Sequence, residues 1–103
     1  MNHVFSMKET FGEFLADGDL ANRFRFTEVE SQLGLNVLVV FDFSGVTNMT
    51  ESFAHACFGA LEEDHQQSLF EKVRFSNCSP LIRSFISAAM QQGLVRGANH
   101  SRR

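Results

Sequence analysis

The sequence is short of several residue types, and some of these shortages exclude a class of protein. Among its 103 residues there is no tryptophan, no tyrosine, one proline and two cysteines. A single proline and 7 glycines leave no low-complexity segment. No apolar run approaches the ~20 residues that a membrane-spanning helix needs, and the N-terminus carries no signal-peptide pattern. We therefore expect a single cytoplasmic domain without membrane association, in which Cys57 and Cys78 are reduced thiols.

Positive charge is scarce in the body of the chain. Residues 1–95 carry 6 Lys and Arg against 12 Asp and Glu, a net charge of −6, whereas Arg96, Arg102 and Arg103 add three positive charges. An acidic surface repels phosphate backbones, so nucleic-acid binding is not expected. We assign residues 1–95 to the folded domain and residues 96–103 to a basic C-terminal tail, which we expect to be disordered.

The strongest strand signal lies at residues 36–43, where β-branched and aromatic residues follow one another. Odd and even positions of this run are both apolar until Asp42, so both faces of the strand are apolar. This predicts a central strand buried on both faces. Residues 72–76 alternate between polar and apolar side chains, which predicts a strand with one exposed face. Near the N-terminus, residues 3–7 and 11–15 are predicted to form a hairpin.

Three helices are predicted between and after these strands. The first covers about residues 19–33 and the second about residues 50–64, both from apolar positions at helical spacing. The third begins with Ser79 as its N-cap and Pro80 in its first turn. Gly93 is predicted to close it, with Leu94 folding back. Together these elements predict an α/β fold: a mixed four-stranded sheet flanked by three helices, in the order β-β-α-β-α-β-α.

The apolar stripes of the first two helices predict which side chains face solvent. In the first helix, Phe26, Val29 and Leu33 share a stripe, and Phe24 falls on the opposite side. Phe24 is therefore the candidate exposed aromatic that contacts a partner. The outer face of the second helix is predicted to carry Glu51, Ser52, His55, Gly59, Glu62 and Glu63.

Two segments of the sequence look familiar. Residues 42–53 read Asp-Phe-Ser-Gly-Val-Thr-Asn-Met-Thr-Glu-Ser-Phe, a buried strand running through a short loop into a capped helix. This stretch resembles the STAS-like domains of bacteria, which are relatives of the anti-sigma-factor antagonist domain. The Ser79-Pro80 helix start, with Arg83, Phe85 and Gly93-Leu94, is similar to a later segment of the same family.

The resemblance implies a fold and a role. It implies a mixed sheet flanked by helices and a non-enzymatic switch that binds a partner, such as an anti-sigma factor with a kinase-like ATPase domain. In the regulated members, that partner phosphorylates a serine at the start of the second helix, and the phosphate breaks the complex. The matching position here is Glu51, followed by Ser52. A carboxylate at Glu51 stands in for part of a phosphate charge, or Ser52 accepts the phosphate with the register moved by one.

The candidate partner-binding or phospho-switch residues lie where open α/β sheets place ligands, after the central strand. They are Ser44, Thr47, Asn48, Thr50, Glu51, Ser52 and His55, together with Phe24. A purely structural interpretation competes with this one, because Asn48 or Thr50 suits the N-cap and Glu51 complements the helix dipole. A second functional hypothesis is a small enzyme, or a protein that binds a nucleotide or acyl phosphate, using the 44–52 loop.

Catalysis, metal binding and a cofactor are not expected. Glu51, Ser52 and His55 share one helix face, but adjacent surface side chains on a helix do not form an enclosed oxyanion site. His55 and Cys57 are predicted to point in opposite directions, which rules them out as a pair of metal ligands. The sequence leaves the partner and the oligomeric state open.

Overall fold

The computed structural model describes residues 2–101, including all of their side chains except those of Gln67 and residues 98–101. Its strands are β1 Asn2–Ser6, β2 Phe14–Leu15, β3 Leu38–Asp42, β4 Asn48–Met49 and β5 Val73–Ser76. Its α-helices are α1 Met7–Phe11, α2 Gly18–Phe24, α3 Glu30–Gly34, α4 Glu51–Ala54, α5 Ala60–His65, α6 Leu69–Lys72 and α7 Pro80–Ser101.

Two of the helical segments contain a wider, π-helical turn. Arg25–Val29 joins α2 to α3, and His55–Gly59 joins α4 to α5. Residues 18–34 and 51–65 are therefore continuous helical segments, which we call the α2–α3 helix and the α4–α5 helix. They agree closely with the first two predicted helices. A 3-10 turn, Gln66–Ser68, leads into α6.

The main sheet has three strands in the order β1-β3-β5, and both pairs are parallel. β3 is its central strand, as predicted for residues 36–43. β2 and β4 form a separate parallel pair in which Leu15 lies opposite Met49. The predicted strand count and mixed sheet are therefore wrong. The predicted N-terminal hairpin is also wrong, because β1 and β2 each pair with a strand that lies further along the chain.

One face of the main sheet is buried and the other meets solvent. Phe41 is fully buried, and its neighbours in register are Phe5 and Phe75. On the opposite face the corresponding row contains Val4, which is 57 % exposed, half-buried Val40 and exposed Arg74. The prediction that β3 is buried on both faces is thus wrong. Since the strand order follows the chain and crossovers are right-handed, both crossovers fall on the same side of the sheet.

Packed phenylalanine rings form much of the core. Phe24 is 7 % exposed, and its ring centroid lies 5.0 Å from that of Phe5 and 5.2 Å from that of Phe11. The prediction that Phe24 is an exposed aromatic is wrong; the exposed ring in that helix belongs to Phe26, which is 62 % exposed. The π turn after Phe24 changes the phase of the helix, so an apolar stripe drawn at constant α-helical spacing fails there.

The last helix begins as predicted and ends later. The Ser79 Oγ accepts a hydrogen bond of 3.2 Å from the Ile82 amide, which caps α7 at its N-terminus. The predicted closure at Gly93 is wrong, because the helix continues to Ser101. Residues 96–101 of the predicted tail are the final turns of α7, and Arg102 and Arg103 lie outside the described residues.

Helix α7 covers part of the face of the α4–α5 helix that was predicted to be its outer face. A Cβ at Gly59 would lie 3.0 Å from the Ala89 carbonyl oxygen, and one at Gly93 would overlap the Gly59 carbonyl. Glu62 is only 2 % exposed. The glycines therefore allow two helix backbones to approach closely, and the prediction that Gly59 and Glu62 face solvent is wrong.

Both cysteines are free thiols, as predicted. Cys57 is fully buried, and burial raises the pKa of its thiol to about 12 despite the nearby charge of Arg25. Cys78 is half-buried, and burial also raises its pKa, although Arg83 opposes the shift. A thiol with a raised pKa is a poor nucleophile at neutral pH. Within residues 2–101, no helix combines the length and the apolar character needed to cross a bilayer.

Candidate functional site

The candidate site begins where the central strand ends. The Asp42 Oδ1 accepts a hydrogen bond of 2.8 Å from the Asn77 side chain and one of 3.0 Å from the Ser44 amide. The bond from Asn77, and to a smaller extent the bond from Ser44, holds the pKa of the Asp42 carboxyl below its usual range. Because Asn77 follows β5, the carboxylate ties together the segments that leave two neighbouring parallel strands. This places the carboxyl ends of both strands at one edge.

A tight turn then carries the chain out to solvent. The Val46 amide donates to the Phe43 carbonyl at 3.0 Å, and Gly45 between them has a φ of 81°. That positive φ favours glycine in a turn of this kind. The stem of Lys8 lies over Gly45, where a Cβ would be 2.6 Å from the Lys8 Cδ. The segment after β1 therefore also reaches this edge of the sheet.

Two threonines fasten the loop to residues 13–16. The Thr47 amide and hydroxyl donate to the Glu13 carbonyl at 2.8 and 3.2 Å. The Thr50 hydroxyl donates to the Ala16 carbonyl at 2.9 Å and accepts from the Phe53 amide at 3.1 Å. Thr50 is therefore the N-cap of α4, which confirms the structural interpretation for this residue. The hydrogen bonds of both threonines hold the loop in place.

The other residues of the loop divide into apolar anchors and exposed polar side chains. Val46 and Met49 are buried. The Asn48 Oδ1 accepts from the Met49 amide at 2.8 Å, so part of its hydrogen-bonding capacity is used locally. Ser44 and Glu51 are exposed. The loop thus displays polar side chains from a backbone that is anchored on both sides.

Ser52 lies where two helices begin. Ser52 is exposed and occupies the first turn of α4. Its Oγ lies so close to Gly18 that a Cβ on Gly18 would overlap it. Gly18 is the first residue of α2, which Asp17 caps by accepting from the Asp19 and Leu20 amides. Helix N-termini favour negative charge, but the carboxylates of Asp17 and Glu51 already supply it. A phosphate on Ser52 would add charge to a region that is already acidic.

His55 lies beside this surface and is half-buried, not on a fully exposed face as predicted. Its Nδ1 is buried and has no hydrogen-bond partner within the described part of the chain. Together with Glu51 and with Ser84 and Gln92 of α7, it lines a cavity of about 260 Å³. The His55 ring therefore belongs to the contact between the α4–α5 helix and α7.

The structure brings six of the eight predicted site residues together along the 44–52 segment, and leaves His55 at its margin and Phe24 in the core. Sequence reasoning missed Asn77, Lys8 and Gly18. Asn77 carried a usable signal, because an asparagine between a strand and a capped helix is well suited to its observed φ of 57°. The contacts of Lys8 and Gly18 depend on chain segments that are distant in the sequence, so nothing local indicates them.

No group of three or more metal-ligating side chains is found within the described residues. The neighbouring cavity of about 260 Å³ is smaller than the ~300–1,000 Å³ of ordinary ligand pockets. The arrangement is an exposed polar surface whose backbone is anchored by the hydrogen bonds of Thr47 and Thr50.

The fold and the site together define an α/β domain that presents a polar loop at the carboxyl ends of parallel strands. The model of one family, the STAS-like domain of unknown function (DUF4325), matches residues 21–83. The chain therefore belongs to the STAS-like domain family, as the resemblance implied. No curated protein and no solved structure matches the chain.

Proposed function

We propose that this STAS-like domain is a non-enzymatic regulatory module that binds a signalling protein through the 44–52 loop and the N-terminus of α4. The observation that carries the proposal is the combination of a fixed loop backbone with exposed side chains. Thr47 and Thr50 are bonded to residues 13–16, whereas Ser44, Glu51 and Ser52 remain exposed. A surface that is ordered before binding loses little conformational entropy when a partner docks.

The charge of this surface suggests how binding is regulated. Glu51 supplies a permanent negative charge at the N-terminus of α4, and Ser52 beside it offers an exposed hydroxyl. We take Ser52 as the acceptor of a phosphate from a kinase-like ATPase partner, by analogy with regulated relatives. The added charge would face Glu51 and Asp17, so phosphorylation weakens the complex by like-charge repulsion and by blocking the surface.

Affinity capture from the source organism tests this function. The intact chain is expected to retain a protein with a kinase-like ATPase domain, and Ser52→Asp is expected to reduce retention about tenfold or more. Ser31→Asp is the matched control, because Ser31 is exposed on α3, which leads into the start of β3 at the opposite end of the sheet. Mass spectrometry of the native protein checks Ser52 for phosphate. Equal retention of the same proteins by the wild type and Ser52→Asp would refute the assignment of this surface.

The alternative, a protein that binds a nucleotide or acyl phosphate through the same loop, is separated by a thermal-shift screen. A ligand present at 100 times its Kd raises stability by about 2.7 kcal/mol, which is easily measured as a change in melting temperature. Under the interaction function, nucleotides and acyl phosphates leave the melting temperature unchanged. A clear rise that Ser52→Asp abolishes would favour the alternative.

A further inference from the structure

A second surface, independent of the 44–52 loop, lies between β5 and the first half of α7. It is a groove of about 500 Å³, which is within the usual size of a binding site. Large apolar side chains line it, among them Phe70, Ile86 and Met90. Phe70 is 67 % exposed and adds to the apolar surface of the groove. We call this feature the β5 groove.

The groove runs along a free sheet edge. β5 is the last strand of the β1-β3-β5 order, and the consecutive residues Val73, Arg74 and Phe75 all line the groove. Successive side chains of a strand point to opposite faces, so three consecutive lining residues mean that the groove borders the edge of the strand. Edge strands carry backbone groups that are able to pair with another chain.

The backbone groups at this edge can be assigned. The Ser76 carbonyl accepts from the Phe43 amide at 3.0 Å, so it points inward, and the preceding Phe75 amide and carbonyl point outward. The outward groups of Val73 already have partners within the chain. Its amide donates to the Leu69 carbonyl, and its carbonyl accepts from the Arg74 Nη1 at 2.9 Å. The donor and acceptor of Phe75 are therefore those that an added strand would meet.

Two arginines give the groove a charge opposite to that of the domain. Arg74 and Arg83 line it, no Asp or Glu does, and neither arginine forms an ion pair within the described residues. The Arg74 Nη1 donates to the Phe70 carbonyl as well as to Val73, which holds the guanidinium at the rim. The chain as a whole carries a net charge of −3. This local excess of positive charge favours an acidic occupant.

We propose that the β5 groove binds an extended, acidic segment of a partner protein, which pairs with β5 as a fourth strand of the main sheet. One set of alternate side chains of that segment is apolar and packs between β5 and α7 against Ile86 and Met90. The other set includes Asp or Glu and meets Arg74, whose side chain leaves β5 on the opposite face from Val73 and Phe75. Arg83 lies on the same face of α7 as Ile86 and Met90, where it meets an acidic residue beside the apolar set. Strand addition of this kind takes affinity from the backbone and specificity from alternate side chains.

Selection from a library of random dodecapeptides displayed on phage, with the intact chain as bait, tests the proposal. Enriched peptides are expected to alternate apolar and acidic residues. Their affinities, measured by fluorescence polarisation, are expected to fall about tenfold or more for Arg74→Glu and for Arg83→Glu. Arg23→Glu is the matched control, since Arg23 is an exposed arginine on α2 that does not line the groove. Circular dichroism melting verifies that each variant folds.

Three further measurements test whether the peptide pairs with β5 and whether this site is independent of the 44–52 loop. Binding is expected to slow hydrogen exchange of the Phe75 amide, and alternate N-methylation of the peptide is expected to abolish binding. Ser52→Asp leaves peptide binding unchanged, so failure here and failure of the proposed function are distinguishable. The proposal is overturned if no peptide is enriched, if enriched peptides lack acidic residues, if the arginine variants bind them normally, or if ultracentrifugation shows that two copies of the chain pair through this edge.

Discussion

Arg25 and Ala56 lie in different helices and are joined by a hydrogen bond of 2.9 Å from the Arg25 Nε to the Ala56 carbonyl oxygen. Both residues belong to π-helical turns, Arg25–Val29 and His55–Gly59. A π turn interrupts the regular hydrogen-bond ladder of a helix, and the guanidinium supplies a donor to the interrupted region. Arg25 is 6 % exposed, and its Nη2 also donates to the Asn22 side chain at 2.5 Å. One buried side chain therefore fixes the two helices against each other.

Arg25→Ala is expected to lower the free energy of unfolding by about 3 kcal/mol, because it removes a buried side chain and leaves the partly buried Ala56 carbonyl without its charged donor. Urea denaturation measures this loss. Asp64→Asn is the comparison, since Asp64 is 54 % exposed and lies 3.7 Å from the Arg25 Nη1. Because Asp64 is largely in contact with water, this ion pair contributes about 1 kcal/mol at most. Equal losses for the two variants would mean that the ion pair, not the Ala56 hydrogen bond, is what matters.

Gly93→Ala is expected to destabilise the domain by about 2 kcal/mol or more, because its Cβ would overlap the Gly59 carbonyl and force α7 away from the α4–α5 helix. Gly34→Ala is the control, since a Cβ there meets no atom within 4 Å. Alanine favours a helix over glycine by up to about 1 kcal/mol, so Gly34→Ala is expected to be neutral or stabilising. Thermal unfolding compares the two, and a stabilising Gly93→Ala would contradict the close helix approach.

Phe24→Ala is expected to lower stability by about 3–5 kcal/mol, because it opens a cavity in the aromatic core beside Phe5 and Phe11. Phe26→Ala is expected to cost about 1 kcal/mol or less, since its ring is 62 % exposed and the Arg25 guanidinium lies over it at 4.4 Å from the ring centroid. Guanidinium chloride unfolding provides the comparison. A large loss for Phe26 and a small one for Phe24 would reverse the assignment of core and surface in this helix.

Glu62→Gln is expected to stabilise the protein at pH 7 by about 1 kcal/mol, because burial disfavours the Glu62 carboxylate. Burial raises the pKa of Glu62 above its ordinary value of 4.5, and its Oε2 has no partner among the described residues. The folded wild type holds this proton more tightly than the unfolded chain, so its stability falls as the pH rises from the ordinary pKa to the raised one.

The measurement for Glu62 is the melting temperature as a function of pH. Below pH 4 the carboxyl is protonated in both states, so the wild type and Glu62→Gln should differ little in their pH dependence there. The advantage of the variant is expected to develop above that range and then to level off. A constant difference at every pH would show that the effect comes from packing and not from titration.

Much of the candidate site could be predicted because its signals are local. Thr50 caps α4 through its own hydroxyl, and Ser79 caps α7 in the same way. The strand that precedes the loop is marked by an apolar run, and the polar residues follow it directly in the chain. What the sequence could not indicate is that Asn77 and Gly18 reach the same surface, because these contacts arise only when distant segments fold together.

The sequence by itself determined the α/β class, the central strand and the starts of the three predicted helices, because each depends on residues within a few positions of one another. Only the tertiary structure decided that the sheet is covered on one face, that Phe24 is buried and that α7 continues past Gly93. These features depend on strand order, on the π turn that Arg25 begins, and on the close approach of Gly93 to Gly59. Such contacts join residues that are far apart in the chain, and local patterns do not encode them.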